Sequence, residues 1–373
     1  MRICMVSEDY EPNIAGVGVH LQNLVRELVS AGHDVTMITS KKPHQADVTE
    51  LTRLTIYRNR SVRISGFYHS LMTTRRIRRI LETHRVEVVH VHFLSAMAVQ
   101  AVRVAKKMGI RTIYTYHMAE EIFTSRVSAV PPAQRLISRL ITRFCNQFDV
   151  VTFPSHTLAD RARRSGLMPP SRVVGNAVAV TSSGAGDDRP DPGQFVVLYV
   201  GRLSPEKNLA FLLRVFQKLS VKYPAARLWM AGDGPIRAQL QALAATLGIE
   251  RSVTFLGHLP QAELARYYRR ADVFVLASFF ETQGMVCIEA MQFGKPLLVS
   301  DGIVSCRELV DDGENGFIFR HTDESHLLER LEVLVLQPEL RAKMAARSAG
   351  KASSFSLASV MAAHEDLYRG LLS

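Results

Sequence analysis

The chain has 373 residues, too many for one ordinary domain and enough for two cores of about 150–200 residues each. With 47% apolar and 22% charged residues it has the balance of a globular protein, and no apolar run approaches the ~18 residues of a membrane span. The net charge of +11 is lopsided, since residues 1–180 hold 25 Lys+Arg against 13 Asp+Glu and the remainder 21 against 22.

MRICMVSEDYEP at the N-terminus carries an apolar segment too short for a signal peptide and followed directly by acids. It reads as a buried strand from residue 2 and predicts a cytoplasmic protein. An apolar-periodic helix follows over 17–32, with Gly32 as its stop. The β-branched runs DVTMIT (34–39), EVVHVHF (87–93), RTIYTYH (111–117) and DVVTFPS (149–155) read as buried parallel strands, with helical segments such as SAMAVQAVRVAKKMG (95–109) between them. Residues 181–194, TSSGAGDDRPDPGQ, lack periodicity and read as a linker. Alternation then resumes with strand FVVLYVGR (195–202), helix KNLAFLLRVFQKLSVKY (207–223), ARLWMAGDG (226–234) as strand and turn, and strands ADVFVLAS (271–278) and KPLLVS (295–300). The pattern predicts an α/β protein of two doubly wound, Rossmann-like domains facing across a cleft, spanning 1–180 and 195–353. A terminal helix over 354–373 could return to the N-terminal domain.

Ligands of such sheets bind at the C-terminal strand ends, so the loops there carry the chemistry. After the first strand, NIAGVGVHL (13–21) turns into a helix; Gly16 and Gly18 let backbone approach a ligand, and the helix start offers N–H groups to an anion. A dinucleotide fingerprint needs a third glycine where Leu21 stands, so NAD is not expected. In VGRLSPEKN (200–208), Arg202 and Lys207 lie between a strand and its helix, two cations that suit a diphosphate; solvated surface charge is the bland alternative. AGDGP (231–235) is a second glycine turn into a helix. No strand ends in an Asp-x-Asp pair that would hold a divalent metal beside a diphosphate, so neutralisation falls to Arg202, Lys207 and helix N-termini, and neither metal nor cofactor is expected.

The stretch ETQGMVCIE places Glu281 before, and Glu289 inside, a helix opened by Gly284, with Met285, Ile288 and Met291 on its core face. Their spacing of eight residues is about 12 Å along a helix, whereas a glycosidase carboxylate pair lies about 5–9.5 Å apart. That leans toward two acceptors for hydroxyls at different parts of one elongated ligand, with a helix N-terminus between them for phosphates: a nucleotide sugar.

With these pieces in place the chain resembles the family 4 retaining glycosyltransferases of the GT-B fold. The matching stretches are AGVGVHLQNLVRELVSAGHDVTMIT, VVHVHF, YTYH, VGRLSPEKN, AGDGP, FLGHLP, ETQGMVCIEAMQFGKPLLVS and ELVDDGENGFIF, which extend along nearly the whole chain. The resemblance implies that Glu281 contacts the donor sugar and Glu289 the ribose. Gly284, Met285 and Val286 would offer backbone amides to sugar and phosphates, while Arg202 and Lys207, helped by the turn at Gly16, would neutralise the diphosphate. His117 would stand beside the sugar and its reactive carbon, and transfer would be metal-independent with retained anomeric configuration. The base would pack near FLGHLP (255–260). The chain departs from the family at Ala15-Gly16, where Gly-Gly is common, at Gln283, where an aromatic is usual, and at GNAVAV (175–180), which keeps Asn176 of a Pro-Asn-Gly-Val-Asp pattern.

Other features have plainer readings. His90 and His92 share a strand face and could ligate zinc, but no third ligand is apparent, so packed or hydrogen-bonded histidines are expected. Four scattered cysteines (Cys4, Cys145, Cys287, Cys306) argue for neither zinc nor disulfides. FYHSLMTTRRIRRILETH (67–84) reads as a basic amphipathic helix, with Phe67, Leu71, Ile77, Ile80 and Leu81 apolar and Arg75, Arg76, Arg78 and Arg79 crowded together as candidate contacts to an anionic membrane. A core-facing helix with a solvated basic side is the alternative. YTYHMAEEIF also resembles diacylglycerol glucosyltransferases, so the expected reaction moves a hexose, glucose first, from a nucleotide-diphosphate donor to a membrane lipid or glycolipid. That places the protein in the cytoplasm, peripheral on the inner face of the cell membrane. A soluble or cell-wall saccharide or small-molecule acceptor is the alternative. Nucleic-acid binding is not expected, because interleaved aromatics and a binding module are lacking.

Overall fold

A computed structural model describes residues 1–10, 16–64, 67–70, 72–117, 131–176, 178 and 193–373. The chain divides into two compact units, Met1–Val178 with Leu357–Ser373, and Ala179–Ser356. Most of the linker expected at 181–194 lies outside the described residues.

The first unit is built on an eight-stranded sheet in the order β10-β9-β8-β7-β1-β2-β4-β3. The strands are β1 (Arg2–Val6), β2 (Asp34–Ser40), β3 (Val48–Leu51), β4 (Leu54–Asn59), β7 (Val88–Val91), β8 (Arg111–Thr115), β9 (Val150–Phe153) and β10 (Ser171–Val173), all parallel except β3, which forms a hairpin with β4. β5 (Ser61–Ile64) and β6 (Phe67–Ser70) make a separate antiparallel pair. The stretch 67–84 is therefore not one helix: Phe67 is in a strand, Leu71 lies outside the described residues, and the helix α2 covers Thr74–Thr83 only. Thr73 starts it, its side chain accepting from the Arg76 N–H.

α1 (Gly16–Ser30) turns Leu21, Leu24, Val25 and Leu28 onto Ile3, Met5, Val35 and Met37 of the sheet. α3 (Ala96–Lys107) and α5 (His156–Arg164) are each capped by a serine, Ser95 and Ser155, accepting from the third N–H of the helix. α4 (Pro131–Cys145) lies between them in sequence. The terminal helix, numbered α13 (Leu357–Leu372), packs Met361, Leu367 and Tyr368 into the same apolar cluster as α1 and β1.

The second unit has six parallel strands in the order β13-β12-β11-β14-β15-β16. They are β11 (Phe195–Val200), β12 (Ala226–Ala231), β13 (Val253–Gly257), β14 (Val273–Leu276), β15 (Leu297–Ser300) and β16 (Gly316–Phe319). The helices are α6 (Leu209–Lys222), α7 (Arg237–Thr246), α8 (Gln261–Arg270), α9 (Met285–Gln292), α10 (Cys306–Leu309), α11 (Glu324–Leu336) and α12 (Pro338–Ala352). Counted within the unit, the order is 3-2-1-4-5-6, that of a doubly wound dinucleotide-type sheet, and the direction of winding reverses between β11 and β14. A ligand crevice is expected outside the carboxyl ends of those two strands. The corresponding reversal in the first unit falls between β1 and β7.

The glycines of AGDGP have a structural reason. A Cβ at Gly232 would stand 1.9 Å from the Gly201 carbonyl oxygen, and one at Gly234 would stand 2.2 Å from that of Leu203. These glycines let the turn after β12 lie against the turn after β11.

Candidate active site

The loops leaving β11 and β14 are joined to each other. After β11 a single 3-10 turn, Pro205–Lys207, is followed by Asn208 in the left-handed region (φ 55°), from which α6 starts. Glu206 gives its carbonyl to the Phe279 N–H at 2.9 Å, and the Lys207 ammonium is ion-paired with the Glu281 carboxylate. Glu281 also accepts from Ser278 Oγ at 3.4 Å, and its own carbonyl takes the Val304 N–H at 2.9 Å. Neither side chain is open to bulk water, with exposures of 16% for Lys207 and 22% for Glu281. Arg202 is exposed on the same loop, one residue beyond Gly201.

Gly284 then initiates α9 with φ 70° and ψ 60°, a conformation that disfavours a side chain, and it supplies no side-chain cap to the first turn. The backbone N–H groups of Met285 and Val286 thus open the helix at the switch point, where the macrodipole favours an anion. Met285 is partly exposed, and the core face consists of Cys287, Ile288, Ala290 and Met291. The sequence reading puts Met285 on that core face with Ile288 and Met291; in the structure Ile288 and Met291 are buried, while Met285, in the open first turn, is only partly so.

Glu289 lies one turn further along. It accepts from the buried Tyr268 hydroxyl at 2.8 Å, and loss of hydration pushes its carboxyl up to about 7, against which the Tyr268 hydrogen bond acts. Tyr268 is held by stacking on Phe293, with centroids 5.2 Å apart. Sequence reasoning did not single out Tyr268; the signal would have been a tyrosine on the helix preceding β14, a position that only the fold relates to Glu289.

In the first unit, buried imidazoles collect at the ends of β7 and β8. His117 is two residues past the end of β8 and not in the strand, and it is 5% exposed. His92 Nδ1 and His117 Nε2 are 3.1 Å apart, and the Asn176 side chain also bonds His117. His90 bridges the Tyr368 hydroxyl of α13 (2.8 Å) and Thr115 Oγ1 (2.6 Å). His20 of α1 and His364 of α13 complete a group of five buried imidazoles, the His20 and His117 rings 5.1 Å apart and those of His20 and His364 6.2 Å apart.

Burial, reinforced by mutual repulsion, pushes the imidazoles of His20, His90 and His92 well below the usual range. That of His117 falls to about 3 and that of His364 to about 4, both through burial. All five are neutral at pH 7. The third metal-ligand candidate missing from the sequence reading exists, but it joins His92 and not His90: ring nitrogens of His20, His92 and His117 lie within 4.8 Å of one another. Among the described residues this group consists of histidines alone, with no carboxylate of its own to offset a cation's charge.

The first unit also buries an acid. Glu8, at the end of β1 and 3% exposed, accepts from the hydroxyls of Ser40 and Ser70, the latter at 3.0 Å. The short polar run SED after the first strand was the only hint of it. Gly16 is the first residue of α1, preceded by residues outside the described set. Arg75, Arg76, Arg78 and Arg79 are exposed on α2, whose Ile77, Ile80 and Leu81 are buried in the core. All four cysteines are free and buried. Among the described residues no helix is long and apolar enough to cross a membrane.

Comparison with known proteins agrees with this architecture. The family model described as glycosyltransferase family 4 matches residues 14–182, and that of glycosyl transferases group 1 matches residues 187–351. An alpha-monoglucosyldiacylglycerol synthase of Acholeplasma laidlawii is 28% identical over 91% of this chain and 89% of its own length. The enzyme of the same name from Streptococcus pneumoniae is 25% identical over 91% of this chain and 80% of its own. A sucrose-phosphate synthase of Thermosynechococcus elongatus shares the fold, with a TM-score of 0.79 at 20% identity over 99% of this chain and 98% of that one. With matched family models on both units and a doubly wound sheet in each, the chain belongs to the family 4 glycosyltransferases and has the GT-B fold.

Proposed function

We propose that this glycosyltransferase moves glucose from a nucleotide-diphosphate donor, UDP-glucose first, to a diacylglycerol-type membrane lipid, with retention at the anomeric carbon and without a metal. The observation that carries the donor side is the Lys207–Glu281 ion pair set beside the uncapped start of α9, at the winding reversal of the second unit. A diphosphate between Lys207, Arg202 and the N–H groups of Met285 and Val286 would have its charge met by fixed donors, which is where leaving-group stabilisation is obtained. Glu281, already holding Lys207, would accept from the sugar hydroxyls, and Glu289 from the ribose. The diphosphate oxygen is then the base for the acceptor hydroxyl, so no further carboxylate is required. His117 is assigned to the sugar and Gly16 to the diphosphate on family resemblance.

The acceptor rests on the two synthases above, whose names state an alpha-linked glucolipid product. An alpha product from an alpha-linked donor is retention. The basic excess of residues 1–180 supports work at an anionic membrane surface.

Calorimetry across nucleotide sugars, followed by transfer to diacylglycerol with NMR of the anomeric linkage, tests this reading. UDP-glucose binding and an α-glucosyl lipid, unchanged by EDTA, are expected. A β-linked product would refute retention, a strict divalent requirement would refute metal independence, and transfer only to soluble saccharides would refute the acceptor.

A further inference from the structure

The arginine-rich helix α2 has no apolar side chain left to offer a membrane, since Ile77, Ile80 and Leu81 are 0%, 4% and 1% exposed. α4 differs. Its inner face holds Ile141, Phe144 and Cys145, with Phe144 packed edge-on to Tyr114 and Phe148 at 5.2 and 5.0 Å. Its outer face presents Leu136, Arg139, Leu140 and Arg143 at positions i, i+3, i+4 and i+7 of one stripe. Leu136 and Leu140 are 59% and 58% exposed, and no other pair of exposed large apolar residues in the described chain sits four apart on one helix.

The C-terminal end of α4 is tied to the turn that follows α5. Thr142 Oγ1 and Asn146 Nδ2 reach the carbonyls of Ser165 and Gly166, and Asn146 Oδ1 accepts from the Met168 N–H at 2.9 Å. Met168, tied there, is 78% exposed, and the exposed Arg164 precedes the turn at the end of α5. No acid occurs anywhere in residues 131–148 or 161–172.

We infer that this α4 face, with Met168 and Arg164, is the surface by which the first unit docks on an anionic lipid bilayer, α2 contributing charge alone. Leucine and methionine side chains would enter the acyl boundary while the long arginine stems keep their guanidinium groups at the headgroups. Charge complementarity selects this occupant: an apolar stripe edged only by arginine over an acid-free stretch matches a surface of apolar chains beneath phosphate anions. The inference deepens the membrane-lipid reading of the acceptor and rests on it.

The test is co-sedimentation of the full chain with vesicles of phosphatidylglycerol and phosphatidylcholine, against vesicles of phosphatidylcholine alone, at low salt. Transfer to water-soluble dihexanoylglycerol is measured in parallel. Leu136→Ser with Leu140→Ser should weaken binding to anionic vesicles by about tenfold or more, given the weight of buried CH₂ groups. Arg139→Ser with Arg143→Ser should weaken it by roughly fivefold per arginine. Both variants should keep wild-type melting and wild-type transfer to dihexanoylglycerol, since these side chains face outward. The inference is overturned if the wild type ignores anionic vesicles, if it binds pure phosphatidylcholine equally, or if the α4 variants bind as the wild type does. Transfer to dihexanoylglycerol in any of those cases leaves the acceptor reading standing. Binding through α4 without transfer to any diacylglycerol upholds the docking face and removes the acceptor reading instead.

Discussion

Lys207 and Glu281 form an ion pair across 74 residues of sequence, each carried on the loop leaving one of two adjacent strands, β11 and β14. A pair this sheltered holds each partner in place, so removing one leaves the other misdirected as well as uncompensated. Lys207→Ala or Glu281→Gln should lower kcat/KM for the donor about a hundredfold, the scale of one preorganised contact. The double variant should lose much less than the product of the two losses, because the residues act as one unit. Steady-state kinetics on all three variants would show this; independent, multiplicative losses would contradict it.

Glu289 gives a pH prediction. Its carboxyl titrates near 7, raised by burial and lowered by the Tyr268 hydroxyl. Above that pH it is a pure acceptor, as the proposed ribose contact requires, and below it one oxygen carries a proton. Donor affinity should therefore weaken as pH falls from 8 to 6, and binding at pH 7 should release protons, read by calorimetry in buffers of different ionisation enthalpy. Tyr268→Phe should shift this titration upward and weaken donor binding at pH 7 by about tenfold, the worth of a hydrogen bond to a charged group.

The buried histidines make the first unit acid-sensitive. Unfolded imidazoles titrate near 6.5, whereas His117 and His364 titrate near 3 and near 4 in the fold. As pH falls the unfolded chain takes up protons first. Stability fully present above about 6.5 is lost progressively through that window, by about 1.4 kcal/mol per pH unit for each group. Urea midpoints for the first unit's transition at pH 7.5 and 5 should fall accordingly, and His364→Gln should flatten the slope.

Two glycines separate tight packing from open space. Gly232→Ala drives a Cβ to 1.9 Å from the Gly201 carbonyl at a φ of 133°, so it should destabilise the second unit by about 4 kcal/mol or more. Gly350→Ala, in α12 with nothing within 4 Å, should instead raise stability by about 0.5–1 kcal/mol. Thermal unfolding of the two variants would separate them by sign.

Much of this was legible one segment at a time. Strand composition, the 3.6-residue period of α1 and α6, and the glycine at the start of α9 are local properties, written in neighbouring residues. The reading went astray where context overrides period: Phe67 left the α2 pattern for a hairpin, and Met285 left the core. The arginines of α2 stand out in the sequence by crowding, whereas nothing in the local pattern of α4 marks Leu136 and Leu140 as exposed.

From sequence alone came the two-unit α/β plan, the glycosyltransferase resemblance and the identity of Glu281, Glu289 and Lys207, because motif spacing and periodicity survive in one dimension. Only the tertiary structure decided that Lys207 holds Glu281, that Tyr268 holds Glu289, and that a helix from the far end of the chain brings His364 and Tyr368 to His90. Those relationships depend on strand order and helix return, which place residues 21 to 278 positions apart in contact and leave no trace in local pattern.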